Sequence, residues 1–302
     1  MPWVVGIDEA GYGPNLGPLV QAAVGLHLPD GDPAGWETLK AVVRRSHEKD
    51  DGRLLIDDSK KVYARGGLES LEQGVWSALD RWYGCVDQLI ATHALGCLAA
   101  LATELWYDAN EQLPAERWLP VDLGRSDVLA VATVVPALRF NQICDEADSK
   151  GAVLARGLVE LIPEALNGLK PDGEPVMILC DKHGGRNFYA SMIQAAFPDG
   201  WVIAEKESAA ESRYRVEQLD RPVMVTFRPR ADGDSVAVAL ASMLCKYLRE
   251  VCMMQFNRFW AKHVPGIRPT AGYPVDAKRF YAEIRPAMAK LGLTEDQVWR
   301  KR

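Results

Sequence analysis

Two adjacent carboxylates, Asp8 and Glu9, follow an apolar run and precede a glycine-rich turn in the segment VVGIDEAGYGP (residues 4–14). Side chains alternate along a strand, so these acids start on opposite faces and can serve one site only where the strand ends. Gly11 and Gly13 permit a bend there. Such a corner suits a divalent cation or a phosphate. The simpler alternative is an ordinary strand exit with solvated acids.

Further acids occur where other apolar segments end. Asp181 follows the run MILC (residues 177–180), and Asp232 and Asp234 lie just before a long apolar stretch. Sites in open α/β sheets form at the carboxyl ends of strands, so acids far apart in sequence can converge there. Two alternatives remain open. Asp181 could cap a helix or make a turn, and Asp234 could cap the helix predicted from Ser235.

The chemistry of these candidates favours a hard cation, because the candidate set consists of carboxylates with no His or Cys among its members. Magnesium and manganese prefer such oxygen ligands. Two such ions would activate a water and stabilise the leaving oxygen in phosphodiester hydrolysis. Lys60, Lys61 and Lys246 are basic residues that could meet phosphates. A lysine pair by itself is more typical of a solvated surface.

The elements that must position these residues alternate between strand and helix patterns. Apolar or alternating runs predict strands at 3–7, 19–28, 128–135 and 176–180, and two or three strands within 201–229. Helical periodicity predicts helices at 32–45, 67–82, 86–105, 141–166, 188–197, 235–260 and 276–291. This order predicts an α/β core with helical additions.

Composition limits the functions that are possible. The net charge of −6 argues against a protein that grips nucleic acid through overall positive charge, although bound cations would neutralise clustered acids locally. No apolar stretch approaches the ~20 residues that a membrane span needs, and we find no secretory signal pattern. The six cysteines are scattered without a Cys-x-x-Cys pair, which predicts reduced thiols in a cytoplasmic protein.

Five segments, in order, resemble motifs of the type 2 ribonucleases H (ribonuclease HII and its relatives), and the chain is identified as a divergent member. The segments are GIDEAGYGP (6–14), DSKKV (58–62), FNQI (140–143), ASMLCKYLRE (241–250) and GYP (272–274). The family's typical forms of the first two are DEAGRGP and DSKKL. The first, second and fourth segments are specific, and the set spans most of the chain.

The resemblance implies an α/β, ribonuclease H-like fold, with a mixed central sheet flanked by helices. It implies a single catalytic domain over residues 1–302, with a helical C-terminal part from about residue 235. The implied activity is metal-dependent endonucleolytic hydrolysis of the RNA strand of RNA–DNA hybrids, using two Mg²⁺ or Mn²⁺ ions. The implied products carry a 5′-phosphate and a 3′-hydroxyl.

The resemblance also implies site residues. Asp8, Glu9 and Asp181 map onto three of four metal-binding acids. Spacing to the following helix favours Asp232 as the fourth, whereas the Gly-Asp-Ser triplet favours Asp234, which we slightly prefer. The implied substrate contacts are of two kinds: the turn and a tyrosine would read the 2′-hydroxyl at an RNA–DNA junction, and residues of the second motif would approach phosphates. These residues are Gly11, Tyr12, Gly13 and Tyr273, and Ser59, Lys60 and Lys61.

The chain departs from the family pattern in ways that bear on its substrate. Tyr12 stands where the family usually has an arginine, which removes a guanidinium from the turn. Asp181 leads Lys182-His183-Gly184 instead of the common Asp-Gly-Asn. Residues 108–127 and 206–222 look like insertions. Cleavage of phosphodiesters is therefore better supported than the usual substrate preference.

Three alternatives follow. A nuclease of the same fold could act on another structured nucleic acid, and the substitution at Tyr12 keeps this one open. A non-catalytic nucleic-acid-binding protein is disfavoured by retention of all the candidate acids. A dinucleotide-binding oxidoreductase is disfavoured because Leu16 stands where the third glycine of the fingerprint is needed. We expect a monomer without membrane association.

Overall fold

The structure is a computed structural model that describes residues 2–28, 32–79, 83–94, 96–113, 121, 123 and 128–301. Its strands are β1 (Trp3–Ala10), β2 (Leu19–His27), β3 (Val43–Arg44), β4 (Leu54–Leu55), β5 (Leu129–Val135), β6 (Val176–Asp181), β7 (Trp201–Glu207), β8 (Ser212–Glu217) and β9 (Val223–Arg228). Its helices are α1 (Trp36–Leu39), α2 (Ser59–Leu79), α3 (Val86–His93), α4 (Leu98–Leu101), α5 (Ala137–Ala147), α6 (Gly151–Gly168), α7 (Ala190–Ala196), α8 (Val236–His263) and α9 (Pro274–Leu291).

Within these residues, a sheet of seven strands has the order β5-β2-β1-β6-β9-β8-β7. The central pairs β1–β6 and β6–β9 are parallel, and the outer pairs are antiparallel. The predicted mixed sheet flanked by helices is therefore confirmed. Because β1, β6 and β9 are parallel neighbours, their carboxyl ends lie at one edge of the sheet.

Strand β1 is buried on both faces, and its side chains alternate between two hydrophobic clusters. Val4 packs in the cluster that contains the start of α8, whereas Val5 and Ile7 pack in the cluster that contains α6 and α7. Gly6 lets α8 approach closely, because a Cβ there would stand 2.2 Å from the backbone of Ala237. This close contact fixes the start of α8 beside the end of β1.

Several predicted boundaries were wrong. Strand β1 continues past residue 7, because its antiparallel pairing with β2 extends to Ala10 although its parallel pairing with β6 ends at Ile7. The helix predicted at 32–45 is only the four residues of α1, followed by β3. The helix predicted at 141–166 is two helices, since Asp148 adopts a left-handed conformation (φ 47°) that ends α5.

The two predicted insertions fall differently in the structure. Residues 206–222 span the β7–β8 turn, strand β8 and the β8–β9 connection, so they belong to the edge of the main sheet. Much of 108–127 lies outside the described residues. The predicted C-terminal helical part is present as α8 and α9. None of the helices in the described part of the chain is long and apolar enough to cross a membrane.

Candidate active site

Strands β1 and β6 bring the first three candidate acids to one edge of the sheet. Their parallel register ends with Ile7 opposite Cys180, so Asp8 and Asp181 follow at the same level. Asp181 is the last residue of β6, and its Oδ1 accepts a hydrogen bond from the backbone N–H of Ala231 at 3.3 Å. That bond holds the connection between β9 and α8 at the same edge of the sheet. This connection carries the remaining candidates, Asp232 and Asp234.

The charges of these acids act on one another. Desolvation raises the pKa of Asp8 to about 7, and Asp181 and Asp232 add to the increase, while a hydrogen bond with Ser242 opposes it. Desolvation also raises the pKa of Glu9 to about 8, with repulsion from Asp8 and Asp181 in the same direction. Asp8 and Glu9 therefore both feel the negative charge of Asp181, despite being neighbours in a strand. The carboxylates form one electrostatic cluster.

The structure separates the two candidates for the fourth acid. Asp232 lies in a 3₁₀ turn (Ala231–Gly233), where burial and then the charges of Asp58 and Asp181 raise its pKa. The Asp234 side chain is 53% exposed, and its Oδ2 lies 4.0 Å from Arg228 Nη1. The acid cluster therefore includes Asp232, whereas Asp234 faces an arginine beside it.

The alternative role of Asp234 as a helix cap is filled by its neighbour. Ser235 is the N-cap of α8, and its side chain accepts a hydrogen bond from Ala237 N at 3.3 Å. Such a cap satisfies a backbone donor that the first turn of a helix leaves unpaired. Asp234 therefore takes no part in capping α8.

Of the two glycines in the turn, only the first is packed so tightly that its position requires glycine. Gly11 has φ 92°, and a Cβ there would stand 2.5 Å from Arg249 Nε and 2.6 Å from the carbonyl oxygen of Pro18. Gly13 is exposed, and a Cβ there would meet only Tyr273 Cε1, at 3.9 Å. Tyr273 is half-exposed at the N-cap of α9. The structure thus brings the turn and the predicted tyrosine together.

The segment that precedes α9 is also joined to the glycine turn, through hydrogen bonds between backbone atoms. Asn15 N donates to the carbonyl of Gly272 at 2.8 Å, and Leu16 N donates to the same oxygen at 3.3 Å. Gly272 has φ 82°, and a Cβ there would stand 2.4 Å from the carbonyl oxygen of Leu16. The chain passes through this close approach only because position 272 is glycine.

The start of α2 presents the second motif to the acids. Ser59 is buried and accepts a hydrogen bond from Ser242 Oγ at 3.0 Å. Lys60 is exposed, and its charge lowers the pKa of Glu9 against the larger effect of burial. Lys61 donates to Asp57 Oδ1 at 3.2 Å. Lys246 instead pairs with Glu250 on its own helix and lies over the Tyr63 ring.

Sequence reasoning did not single out three residues that support the site. Burial raises the pKa of Asp57, but hydrogen bonds from Ser46, the Asp58 backbone and Lys61 outweigh it and lower this pKa to about 2. Asp57 thereby anchors the loop that presents Asp58 to Asp232. Ser242 connects Asp8 to Ser59. Asp58 and Ser242 were inside the quoted motifs, whereas Asp57 lay outside them and its only signal was its place directly after the apolar run LLI (residues 54–56).

The donor chemistry of the acids matches what a divalent cation prefers. Every donor is a carboxylate oxygen, and a bound cation would relieve the repulsion that contributes to the raised pKa values of Asp8 and Glu9. As the side chains are arranged in the described part of the chain, no three His, Cys, Asp or Glu residues form a group that could hold a metal ion. The donor types therefore fit, while a closed coordination shell is not formed.

Comparison with known proteins gives structural matches only. No protein-family model matches the sequence, and no curated protein matches it. The ribonuclease H2 from Pyrococcus horikoshii OT3 is similar at a TM-score of 0.50 and 16% identity, over 98% of this chain and 92% of that one.

Two further solved structures match less closely in shape. The RNase HII from Archaeoglobus fulgidus, solved in a complex with PCNA, has a TM-score of 0.45 and 14% identity, over 99% of this chain and 94% of that one. Bst-RNase HIII, solved with Mn²⁺, has a TM-score of 0.47 and 16% identity, over 99% and 66% of the two chains. The predicted ribonuclease H-like α/β fold is confirmed by the similarity to the Pyrococcus horikoshii ribonuclease H2.

Proposed function

We propose that the protein is a metal-dependent endonuclease, a divergent type 2 ribonuclease H, that hydrolyses the RNA strand of RNA–DNA hybrids. The observation that carries this proposal is the meeting of Asp8, Glu9, Asp181 and Asp232 at one edge of the sheet. Like charges in a partly buried site oppose folding unless a cation or solvent compensates them. A purely structural role does not account for such a cluster, and the shared fold is consistent with a nuclease.

The four acids are the proposed ligands of two Mg²⁺ or Mn²⁺ ions. When bound, such ions would activate a water and stabilise the leaving oxygen of the phosphodiester. We propose Asp232 over the sequence preference for Asp234, because the charge of Asp232 acts on Asp8 and Asp234 lies beside Arg228. The Ser242 side chain lies beside Asp8 and lowers the pKa of that carboxyl.

The glycine turn, Tyr273 and the start of α2 are the proposed substrate contacts. Gly13 is exposed and leaves open space around its backbone, so a sugar can approach it closely. The half-exposed ring of Tyr273 beside it can pack on that sugar. The 2′-hydroxyl is the group by which a protein distinguishes RNA from DNA. Lys60 is placed to meet a phosphate next to Glu9.

A second candidate function is a nuclease of the same fold that acts on a different structured nucleic acid. The observation in its favour is Tyr12, which puts a phenol into the turn where a guanidinium would grip a phosphate. This candidate keeps the same acids and the same hydrolysis. It differs only in the substrate that the turn accepts.

The deciding experiment offers one set of length-matched substrates to the purified protein with Mg²⁺ or Mn²⁺. The set contains an RNA–DNA hybrid, a DNA duplex with a single ribonucleotide, double-stranded RNA and double-stranded DNA. We expect cleavage of the hybrid, and a loss of at least about 100-fold in Asp8→Asn, because that change removes a charge from the cluster without changing its volume.

The outcomes separate the candidates. Cleavage of double-stranded RNA or DNA in preference to the hybrid would support the second candidate. If wild type and Asp8→Asn are equally inactive on all four substrates, the proposed nuclease activity is wrong. Binding without cleavage in both proteins would instead indicate a non-catalytic nucleic-acid-binding protein.

A further inference from the structure

Three separate elements meet around Tyr12, on the outer side of the glycine turn. The Nζ of Lys150, between α5 and α6, lies 4.6 Å from the centroid of the Tyr12 ring. Arg186 comes from the loop after β6, and its Nη2 lies 3.4 Å from where a Cβ on Gly151 would stand. Two cations from different parts of the chain therefore flank the same tyrosine.

The guanidinium of Arg186 is available to an anion. The residue is half-buried, and within the described residues no carboxylate lies within 4.0 Å of it; the guanidinium carbon lies 6.0 Å from the centroid of the Tyr189 ring. Burial raises the pKa of Tyr12, and the charge of Arg186 opposes that increase, so the cation faces the phenol. A fork of N–H donors without an anionic partner suits a phosphate oxygen.

The loop that carries Arg186 also presents an aromatic side chain to solvent. Phe188 is 72% exposed, so burial of its phenyl ring contributes little to the stability of the isolated protein. Gly184 and Gly185 precede it with open space around them. Exposed aromatic rings next to cations are the usual platform for nucleic-acid bases, because every base can stack on them.

This surface adjoins the acid cluster. The charge of Glu9 acts on Tyr12, and Asp181 immediately precedes the loop that contains Arg186. A strand whose scissile phosphate lies at the acids can therefore extend past Tyr12. The sign of the charge changes along this path, from the acids to the two cations.

We propose that Arg186 and Lys150, beside Tyr12, bind a backbone phosphate of the nucleic-acid strand next to the scissile one, and that Phe188 stacks on one of its bases. This inference rests on the proposed function and assigns the residues that grip the substrate beside the acid site. The cations from these two loops supply the positive charge that the turn itself lacks at position 12.

The test measures binding of a labelled RNA–DNA hybrid across about 50 to 200 mM salt, in an Asp8→Asn background so that the strand is not cut. We expect Arg186→Gln and Lys150→Gln each to weaken binding about 3- to 10-fold and to reduce the slope of log K against log salt by about 0.9. Phe188→Ala should weaken binding without changing that slope, because stacking releases no counterions. Arg215→Gln, an exposed arginine on β8, is the matched control and should change neither quantity.

The result separates this inference from the proposed function. If the protein with native loops binds the hybrid, and Arg186→Gln and Lys150→Gln keep its affinity and salt slope, the phosphate assignment is wrong while the nuclease proposal stands. If neither the wild type nor any variant binds a nucleic acid, both are wrong. A merely structural role for Arg186 would lower thermal stability and leave the slope unchanged, which also overturns the assignment.

Discussion

Arg300 donates its Nε hydrogen to the carbonyl oxygen of Pro14 at 3.1 Å, although the two residues are 286 positions apart in sequence. Its Nη2 also donates to the carbonyl of Gly11, and its backbone N–H donates to Asn15 at 2.8 Å. Arg300 is 1% exposed. The glycine turn beside the acids is therefore held in shape by a buried guanidinium from the segment that follows α9.

Replacing this arginine should loosen the turn. We expect Arg300→Ala to lower the free energy of unfolding by about 2–4 kcal/mol, because the buried carbonyls of Gly11 and Pro14 lose their donors. Urea denaturation followed by circular dichroism measures the change. Lys301→Ala is the control: the Lys301 side chain is 41% exposed and pairs with Asp145, so its loss should change the free energy of unfolding far less. Equal effects of the two changes would contradict the role of Arg300.

The two glycines of the turn should respond differently to the same substitution. Gly11→Ala introduces a methyl group 2.5 Å from Arg249 Nε at φ 92°, whereas the Cβ of Gly13→Ala would meet only Tyr273, at 3.9 Å. We expect Gly11→Ala to destabilise the protein by roughly 1–3 kcal/mol and Gly13→Ala by less than about 1 kcal/mol. Thermal unfolding of both variants measures this difference. Comparable melting temperatures would show that the turn adapts to a side chain.

The acid cluster should make stability depend on pH when metal is chelated. Burial raises the pKa of Asp8 to about 7 and that of Glu9 to about 8, so the folded protein keeps protons that the unfolded chain has released. Stability is then fully present below the unfolded pKa values and is lost as pH rises through the folded ones. We expect the free energy of unfolding to fall as pH rises from about 4, near the unfolded pKa values, to about 8, the higher of the folded ones.

The variant Asp8→Asn identifies the source of that dependence. It removes one of the two titrating groups, so its stability should fall less steeply than that of wild type, and at about pH 9 it should be the more stable protein. Urea titrations with chelator at each pH measure both proteins. Asp234→Asn, at a half-exposed carboxylate, should follow the wild-type curve. Parallel curves for wild type and Asp8→Asn would mean that Asp8 does not titrate in this range.

The fourth acid can be identified by comparing two neighbouring substitutions. We expect Asp232→Asn to reduce hybrid cleavage by at least about 100-fold, since its charge acts on Asp8, and Asp234→Asn to reduce it by less than about 5-fold. Initial rates at saturating Mn²⁺ measure the effect, and unfolding curves of both variants check that they fold. The opposite order of effects would restore Asp234 as the ligand.

The motif residues could be predicted from the sequence because their order and types were specific, but the path of the backbone between them could not. The structure makes α1 four residues long and splits the predicted helix at 141–166, since Asp148 adopts a left-handed conformation that a periodic apolar pattern does not record. The sequence pattern predicted that strand β1 ends at residue 7. The strand continues because it pairs with β2, and a local pattern does not show that partner.

The choice between Asp232 and Asp234 shows the same limit within the site. Both acids precede α8 at almost the same distance, and local sequence favoured Asp234. The structure places Asp232 among the acids and leaves Asp234 beside Arg228. A hydrogen bond from Ala231 N to Asp181 orients the turn that carries Asp232. A contact across 50 positions in sequence cannot be read from the local pattern.

The sequence by itself determined the alternation of strands and helices, the glycines that the turn requires and the acids available for a site, because these depend on residue type and local spacing. Only the tertiary structure decided which acids share a charge cluster, how Arg300 holds the glycine turn and how Lys150 and Arg186 come to flank Tyr12. The physical reason is that electrostatic coupling and hydrogen bonding depend on distance in space. That distance is set by the register of β1 and β6 and by the packing of the loops around them.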